Sequence, residues 1–140
     1  MPIFTEDDII HTLKTYRNIA VVGVSEHMHR PSYGVTLAML NNGYNIIPVN
    51  PKYDELFDRK CYNSLLEIEE PVEIVNIFRR PDMVMPIVEE AIQIKAKVIW
   101  MQLGVINMQA AQLAKDAGLV VIMDRCIKVE HALYRDRISG

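Results

Sequence analysis

Five short runs of mostly apolar, often β-branched residues divide the chain at regular intervals. They cover residues 19–24, 45–49, 73–78, 98–101 and 119–123, and their starts lie 21 to 28 residues apart. Continuous apolar runs of this length are typical of strands that are buried on both faces of a parallel sheet. The pattern therefore predicts five parallel strands joined by crossover connections.

The intervals between these runs have the period of amphipathic helices. Apolar residues at i, i+3, i+4 and i+7 predict helices over 84–91 and 110–117, the second with Asn107 as N-cap and Gly118 just past its end. Residues 35–39 and 127–135 predict two more helices, and Thr5 with the acids that follow it predicts a capping box for the first helix. The stretch 51–71 has no clean period, and we expect a short helix and an ordered connection there.

Strands that alternate with helices predict a doubly wound α/β fold with a five-stranded parallel sheet and right-handed crossovers. We expect the strand order 3-2-1-4-5, counted along the chain. Ligands of such sheets bind outside the carboxyl ends of the strands, at the point where the order reverses. This order places the binding site between the first and fourth strands.

Composition fits one globular domain, because the chain has 140 residues and half of them are hydrophobic. The net charge is −3, and the sequence contains no block of Lys or Arg. This charge pattern argues against binding to nucleic acid or to an anionic membrane. The sequence has two cysteines, Cys61 and Cys126, which is too few for the disulfide framework of a small secreted protein. The acidic N-terminal stretch does not resemble a signal peptide, and no apolar run is long enough to cross a bilayer. We expect a cytoplasmic protein. The sequence is compatible both with a homo-oligomer and with a partner enzyme.

The turn after the first strand has features of a phosphate site. Gly23 lets backbone N–H groups approach an anion, and Ser25 adds a hydroxyl donor. Only one glycine of the G-x-G-x-x-G dinucleotide pattern is present, so a tight strand-to-helix turn is the alternative. Ser32 is expected to cap the second helix, whose N-terminus would face an anion beside Arg30.

The ends of the second and third strands add cations. Asn50 and Lys52 stand where NAD-binding folds carry an acid, which favours a ligand with a phosphorylated ribose, either NADP or coenzyme A. Arg79 and Arg80 precede a helix N-terminus, where cations are unfavourable unless an anion shares the place. Phe78 can stack on a base or pack in the core, and its place in a strand favours the core.

The fourth strand ends in an uncharged segment, and the fifth ends in a charged one. Gln102 and Gly104 offer neutral donors and close backbone approach, and Trp100 is expected in the core. Asp124 is expected to pair with Arg125 or Lys128. The thiol of Cys126 is either reactive, because it precedes a helix, or inert. The histidines form no evident catalytic or metal-binding set; they are His11, His27, His29 and His131.

Cations thus follow four of the five strands in a chain that is acidic overall. They are Arg30, Lys52, Arg79, Arg80, Arg125 and Lys128. Because the carboxyl ends of parallel strands meet at one edge of the sheet, this distribution predicts a ligand with several phosphates.

The segments at these strand ends resemble those of the small stand-alone CoA-binding protein family, which is related to the first domain of the succinyl-CoA synthetase alpha subunit. The matching segments are AVVGVS at 20–25, RPSYGV at 30–35, GYNIIPVNPKY at 43–53, FRRP at 78–81, WMQLGV at 100–105 and MDRCIKVEH at 123–131. These segments occur along the chain in the same order as in members of the family, and together they span nearly the whole chain.

The resemblance implies a Rossmann-like fold that binds coenzyme A. It assigns the pyrophosphate to Gly23, Val24 and Ser25 together with the segment of Arg30, Pro31, Ser32 and Tyr33, and the phosphorylated ribose to Lys52. It places Phe78, Arg79 and Arg80 at the adenosine end, Gln102 and Gly104 beside the ligand, and Arg125 and Cys126 towards pantetheine.

The leading functional hypothesis is a module that binds CoA or acyl-CoA without catalysis of its own, as a carrier or regulator. The synthetase's phosphohistidine belongs to a second domain that does not match any part of this sequence, so ligase activity is not inferred. The alternatives are an NADP-dependent enzyme or a nucleotide-sensing module. A third hypothesis concerns a mixed disulfide between Cys126 and the CoA thiol.

Overall fold

The computed structural model describes residues 3–139, and its helices and strands alternate along the chain. They are α1 (Glu6–Thr15), β1 (Asn18–Val22), α2 (Pro31–Asn41), β2 (Asn45–Val49), β3 (Glu55–Leu56), β4 (Arg59–Lys60), β5 (Ile74–Ile77), α3 (Val84–Gln93), β6 (Val98–Met101), α4 (Met108–Asp116), β7 (Val120–Met123), α5 (Ile127–Leu133) and α6 (Arg135–Ser139). Short 3₁₀ turns cover Leu65–Glu67 and Pro81–Met83.

Five of these strands form one parallel sheet in the order β2-β1-β5-β6-β7. The predicted Rossmann-like α/β class is confirmed, but the predicted strand order 3-2-1-4-5 is wrong. Counted over the five strands of this sheet, the observed order is 2-1-3-4-5. The order reverses between β1 and β5, so the switch point lies between the first and third strands.

Two sets of contacts explain this order. The outer edge of β2 is occupied by Tyr62, whose N–H donates to the Pro48 carbonyl at 3.0 Å and whose carbonyl accepts from the Asn50 N–H at 2.9 Å. Pro48 has no N–H to offer a further strand, which suits an edge position. On the other side of β1, the Glu73 carboxylate accepts the N–H groups of Arg17 and Asn18 at 2.9 and 3.0 Å and holds the start of β5 against β1.

Each face of the sheet is covered by helices. On one face α3 and α4 bury Val84, Val88 and a stripe of alanines against β1, β5 and β6. On the other face α1, α2 and α5 pack Leu13, Met39 and Ile127 over the sheet, with Trp100 fully buried among them as predicted. Burying this apolar surface is the main favourable contribution to folding. Within residues 3–139, no helix combines the length and apolarity needed to cross a membrane.

The predicted caps of two helices are confirmed. Thr5 and Asp8 form the capping box of α1, and the Asn107 side chain accepts the Ala110 N–H at 2.9 Å at the start of α4. The expectation that Ser32 caps the second helix is wrong. α2 starts at Pro31 with Arg30 at the N-cap and no capping side chain, so Ser32 lies inside the first turn.

Two other segments differ from the expectations. The stretch 51–71 contains one short 3₁₀ helix, Leu65–Glu67, but also a hairpin, β3–β4, that was not expected. Its turn residues Phe57 and Asp58 both have positive φ, as a tight two-residue hairpin requires. The single helix expected over 127–135 is two helices, because α5 ends at Leu133, with Tyr134 as its C-cap, and α6 begins at Arg135.

His131 is a buried, weakly solvated group on α5. Its ring meets Tyr44 edge-on at 5.7 Å, and its Nδ1 has no hydrogen-bond partner among the described residues. Burial lowers the pKa of His131 below its usual value of 6.5, and the charges of Arg135 and Arg17 lower this pKa further. The folded protein therefore binds a proton at this site less readily than the unfolded chain does.

We expect this histidine to make the fold sensitive to mild acid. Above pH 6.5 its neutral form is compatible with burial. As the pH falls below that value the unfolded chain is protonated first, and stability is lost at up to about 1.4 kcal/mol per pH unit. Urea unfolding between pH 7.5 and 5.5 gives the free energy of unfolding of the native chain and of His131→Gln. We expect this free energy to fall less steeply with decreasing pH in His131→Gln than in the native chain.

The neighbouring Glu130 does not confuse this comparison. Burial raises the pKa of Glu130, which gives a pH dependence of the opposite sign, but Glu130 is present in both proteins. Parallel stability curves for the two proteins would exclude His131 as the source of the acid sensitivity.

Candidate functional site

A cleft of about 890 Å³ opens above the carboxyl ends of β1, β2, β5 and β6. It is lined by Gly23, Ser25, Glu26, His27, Arg30, Pro31, Ser32, Val35, Asn50, Lys52, Tyr53, Phe78, Arg79, Arg80, Pro81, Gln102, Leu103, Gly104, Val105 and Cys126. It spans the switch point between β1 and β5, where ligands of doubly wound sheets bind. Its volume is in the range of small-molecule sites.

Most residues that the sequence suggested for this site line the cleft. The exceptions are Val24, Tyr33, Arg125 and Lys128. Val24 is fully buried, and Tyr33 packs its ring against Phe57 at 5.0 Å. Arg125 lies 5.3 Å from the centre of the Phe4 ring and forms an ion pair with Glu130 at 3.5 Å.

Several lining residues were not anticipated from the sequence. They are Glu26, His27, Val35, Tyr53, Pro81, Leu103 and Val105. Asn50, which the sequence placed at the end of the second strand but not among the expected ligand contacts, also lines the cleft. Most of the others lie in connecting loops, where sequence pattern does not indicate which side chains face a cleft.

Gly23 forms the floor of the cleft between β1 and β5. It has φ +90, and a Cβ at this position would lie 2.3 Å from the Phe78 carbonyl oxygen and 3.2 Å from Arg79 Nε. Only glycine combines this backbone conformation with so close an approach. The two strand ends, with the arginine that follows β5, are therefore in direct contact at the switch point.

The two serines fix the loop between β1 and α2. The Ser32 hydroxyl accepts the Ser25 N–H at 3.0 Å, and the Ser25 hydroxyl accepts the His27 N–H at 3.0 Å. Each hydroxyl keeps its own proton for donation to a ligand. Because the first turn of α2 contains no acidic residue and no capping side chain, its positive dipole end is available to an anion in the cleft.

Asn50 joins the first two loops of the rim. Its side-chain amide donates to the Val24 carbonyl at 2.9 Å, and its side-chain oxygen accepts the Lys52 N–H at 3.0 Å. The contact with Val24 is buried, and the contact with Lys52 is partly buried. Asn50 therefore positions the segment that carries Lys52 relative to the turn at Gly23.

The ends of β6 and β7 are linked by Asp124. Its carboxylate accepts the Gly104 N–H at 2.7 Å, so the expected pairing of Asp124 with Arg125 or Lys128 is wrong. The buried side chain of Gln102 accepts the Ile127 N–H at 2.9 Å and thereby caps α5. Trp100 Nε1 donates to the Arg125 carbonyl at 2.9 Å.

Cations dominate the charged lining of the cleft. Within residues 3–139, Arg30, Lys52 and Arg79 have no acidic partner within ion-pair distance, whereas Arg80 lies 3.6 Å from Asp82. Glu26 is the acidic residue in the lining. An anionic ligand would complete the charge balance of this surface.

The two thiols lie in different environments. Cys126 is half-buried at the N-cap of α5 and lines the cleft. Cys61 is buried, and burial raises the pKa of its thiol. Over the described part of the chain, no group of three or more His, Cys, Asp or Glu side chains could hold a metal ion.

Comparison with known proteins gives consistent matches. A family model described as "CoA binding domain" matches residues 17–132. The Bacillus subtilis protein YneT is 45% identical over 128 residues, which cover 91% of this chain and 95% of that one. A solved structure of a hypothetical protein from Pyrococcus horikoshii OT3 superposes with a TM-score of 0.90 at 40% identity, covering 98% of this chain and 94% of that chain.

A further match is to part of a larger protein. The ADP-forming acetate–CoA ligase of Methanocaldococcus jannaschii is 34% identical over 74 residues. The match covers 53% of this chain and 10% of the ligase. It therefore concerns one region of that ligase.

Proposed function

Because the chain belongs to the family of CoA-binding domains, we propose that its cleft binds coenzyme A or an acyl-CoA. The observation that carries this proposal is the set of three cations, Arg30, Lys52 and Arg79, that meet in the cleft without acidic partners among the described residues. Coenzyme A offers three phosphate groups, one on the ribose and two in the pyrophosphate. The ligand would neutralise charges that the protein leaves unmatched.

We assign the pyrophosphate to the turn at Gly23 and the start of α2. The hydroxyls of Ser25 and Ser32 each have a proton to donate there, and the α2 dipole favours an anion. Arg30, at the N-cap of this helix, adds a guanidinium that suits bidentate contact with phosphate. These features lie on one side of the switch point.

We assign the ribose phosphate to Lys52 and the adenosine to the segment at the end of β5. Lys52 follows β2 and is held by the Asn50 side chain. Phe78 is half-buried in the cleft lining and presents an aromatic ring, with Arg79 and Arg80 beside it. An aromatic ring and a guanidinium are both suitable stacking partners for an adenine base.

We further propose that the chain holds its ligand as a carrier or regulator rather than converting it. The similarity to the acetate–CoA ligase covers 10% of that enzyme, so its ligase activity is not transferred to this chain. The free thiols of Cys61 and Cys126 suit a reducing compartment, and we place this role in the cytoplasm.

The assignment of Lys52 is tested by removing its charge and the ribose phosphate separately. We expect dephospho-CoA to bind the native chain about ten-fold more weakly than CoA, because one charge-assisted contact is lost. Lys52→Gln should bind both ligands with similar, weakened affinity, as measured by calorimetry at low salt. Its matched control is Lys60→Gln, an exposed lysine that lies outside the cleft.

If Lys52→Gln still bound CoA about ten-fold more tightly than dephospho-CoA, the role assigned to this lysine would be wrong. Equal binding of the two ligands to the native chain would show that the ribose phosphate makes no contact at all. NADP also carries a phosphorylated ribose, so a titration with NADP distinguishes the proposed function from a nicotinamide-dependent enzyme.

A further inference from the structure

The charged and apolar parts of the cleft lining come from different strands. Lys52 follows β2, Arg30 lies in the connection after β1, and Arg79 and Arg80 follow β5. The lining from the ends of β6 and β7 consists of Gln102, Leu103, Gly104, Val105 and Cys126, none of which carries a fixed charge. The cleft therefore changes from cationic to neutral and apolar across the sheet.

Leu103 is held outward at the apolar end by a defined turn. The Val105 N–H donates to the Gln102 carbonyl at 2.8 Å, and Gly104 has φ +85, as the third position of a type II turn requires. The Asp124 carboxylate fixes this turn through the Gly104 N–H at 2.7 Å. Leu103 is 70% exposed on this fixed support and lines the cleft.

Further exposed apolar side chains extend from this turn. Ile106 follows in the same loop, Met108 is the first residue of α4, and Met83 lies in the turn after β5. The Asn107 side chain donates to the Pro81 carbonyl at 3.0 Å and joins these two segments. Leu103 lines the cleft, whereas Met83, Ile106 and Met108 lie outside its lining, close in sequence to the lining residues Pro81 and Val105. We call these four exposed side chains the apolar lip.

We infer that the apolar lip binds the hydrocarbon chain of a medium-chain acyl-CoA, which makes the preferred ligand an acyl thioester rather than free CoA. The inference rests on the proposed function, since the cationic end must hold the phosphates. A CoA thioester has its charges at one end and its acyl group at the other. This polarity matches the change from cationic to apolar lining across the strand ends.

The experiment is calorimetric titration of the full chain with CoA, acetyl-CoA and octanoyl-CoA. Complete burial of one methylene strengthens binding about four-fold, and a surface that covers one side of the chain gives less. Over the six additional methylenes of octanoyl-CoA we expect binding about ten-fold or more tighter than that of acetyl-CoA. The ratio of the two dissociation constants, measured within one protein, cancels any change in binding of the CoA moiety.

Variants locate the effect. Leu103→Gln combined with Ile106→Gln should reduce the octanoyl preference to about two-fold. The matched control is Leu133→Gln combined with Val129→Gln on α5. Leu133 and Val129 are 66% and 58% exposed and belong neither to the cleft lining nor to the apolar lip, so the ten-fold preference should persist.

The two proposals fail in different ways. If CoA binds but its affinity is the same as that of octanoyl-CoA and acetyl-CoA, the lip does not bind an acyl chain and the proposed function stands. If none of the three ligands binds, the proposed function fails. If octanoyl preference is absent and Leu103→Gln dissociates a dimer in sedimentation experiments, the lip is an interface between two copies, and the inference is overturned.

Discussion

Gly23→Ala is expected to lower the free energy of unfolding by about 3 kcal/mol or more and to abolish CoA binding. An L side chain at φ +90 is strained by about 1–2 kcal/mol. The added methyl would also lie 2.3 Å from the Phe78 carbonyl oxygen, which cannot move without displacing the end of β5. Overpacking against a fixed backbone adds about 1–3 kcal/mol.

Binding is lost in the same variant because the turn at Gly23 is part of the proposed pyrophosphate site. The methyl would also approach Arg79 Nε to 3.2 Å, a contact that requires the guanidinium to shift slightly. Urea unfolding gives the stability change, and calorimetry gives the affinity for CoA.

The control for this substitution is Gly43→Ala. Gly43 has a similar φ of +93, but nothing lies within 4 Å of the position of its Cβ, and it lies outside the cleft. We expect a loss of about 1–2 kcal/mol from backbone strain alone, with CoA binding retained. Equal effects of the two substitutions would mean that the close approach of β1 and β5 has no energetic importance.

Removal of two cleft arginines is expected to weaken CoA binding about 100-fold while leaving stability nearly unchanged. The variant is Arg30→Gln combined with Arg79→Gln. Each charge-assisted contact with phosphate contributes about ten-fold to affinity at a solvent-accessible site. Neither arginine forms an ion pair within residues 3–139, so the fold loses little when they are replaced.

The matched control changes the net charge by the same amount outside the cleft. Lys14→Gln combined with Lys97→Gln removes two exposed cations that do not line it. Long-range attraction between exposed charges is screened beyond about 10 Å at 0.1 M salt. If the control weakens CoA binding as strongly as the arginine variant does, the effect is one of overall charge and the cleft arginines are not the phosphate ligands.

The strands and most helices could be predicted because their signals are local. Continuous apolar runs mark strands that are covered on both faces, and the period of 3.6 marks the helices that cover them. The strand order is not local. It depends on whether β5 joins the sheet beside β1 or beyond β2, and the long-range contacts of Glu73 and Tyr62 decide this. Pro48 carried a signal for an edge strand that the predicted order did not use.

The cationic part of the candidate site could be predicted because parallel strands bring their carboxyl ends to one edge of the sheet. The direction in which each side chain points could not be predicted in the same way. Arg125 follows β7 as Arg79 follows β5, but Glu130 and Phe4 hold its guanidinium away from the cleft lining. Leu103 was missed because an exposed leucine in a loop has no distinguishing pattern until the turn at Gly104 is seen.

The central claim is that this cleft binds coenzyme A, and calorimetric titration of the full chain, first freed of any bound nucleotide, tests it most directly. CoA and NADP are titrated separately at the same salt concentration. We predict that CoA binds with one molecule per chain and that NADP binds far more weakly. Tight binding of NADP without binding of CoA, or binding of neither, would contradict the account.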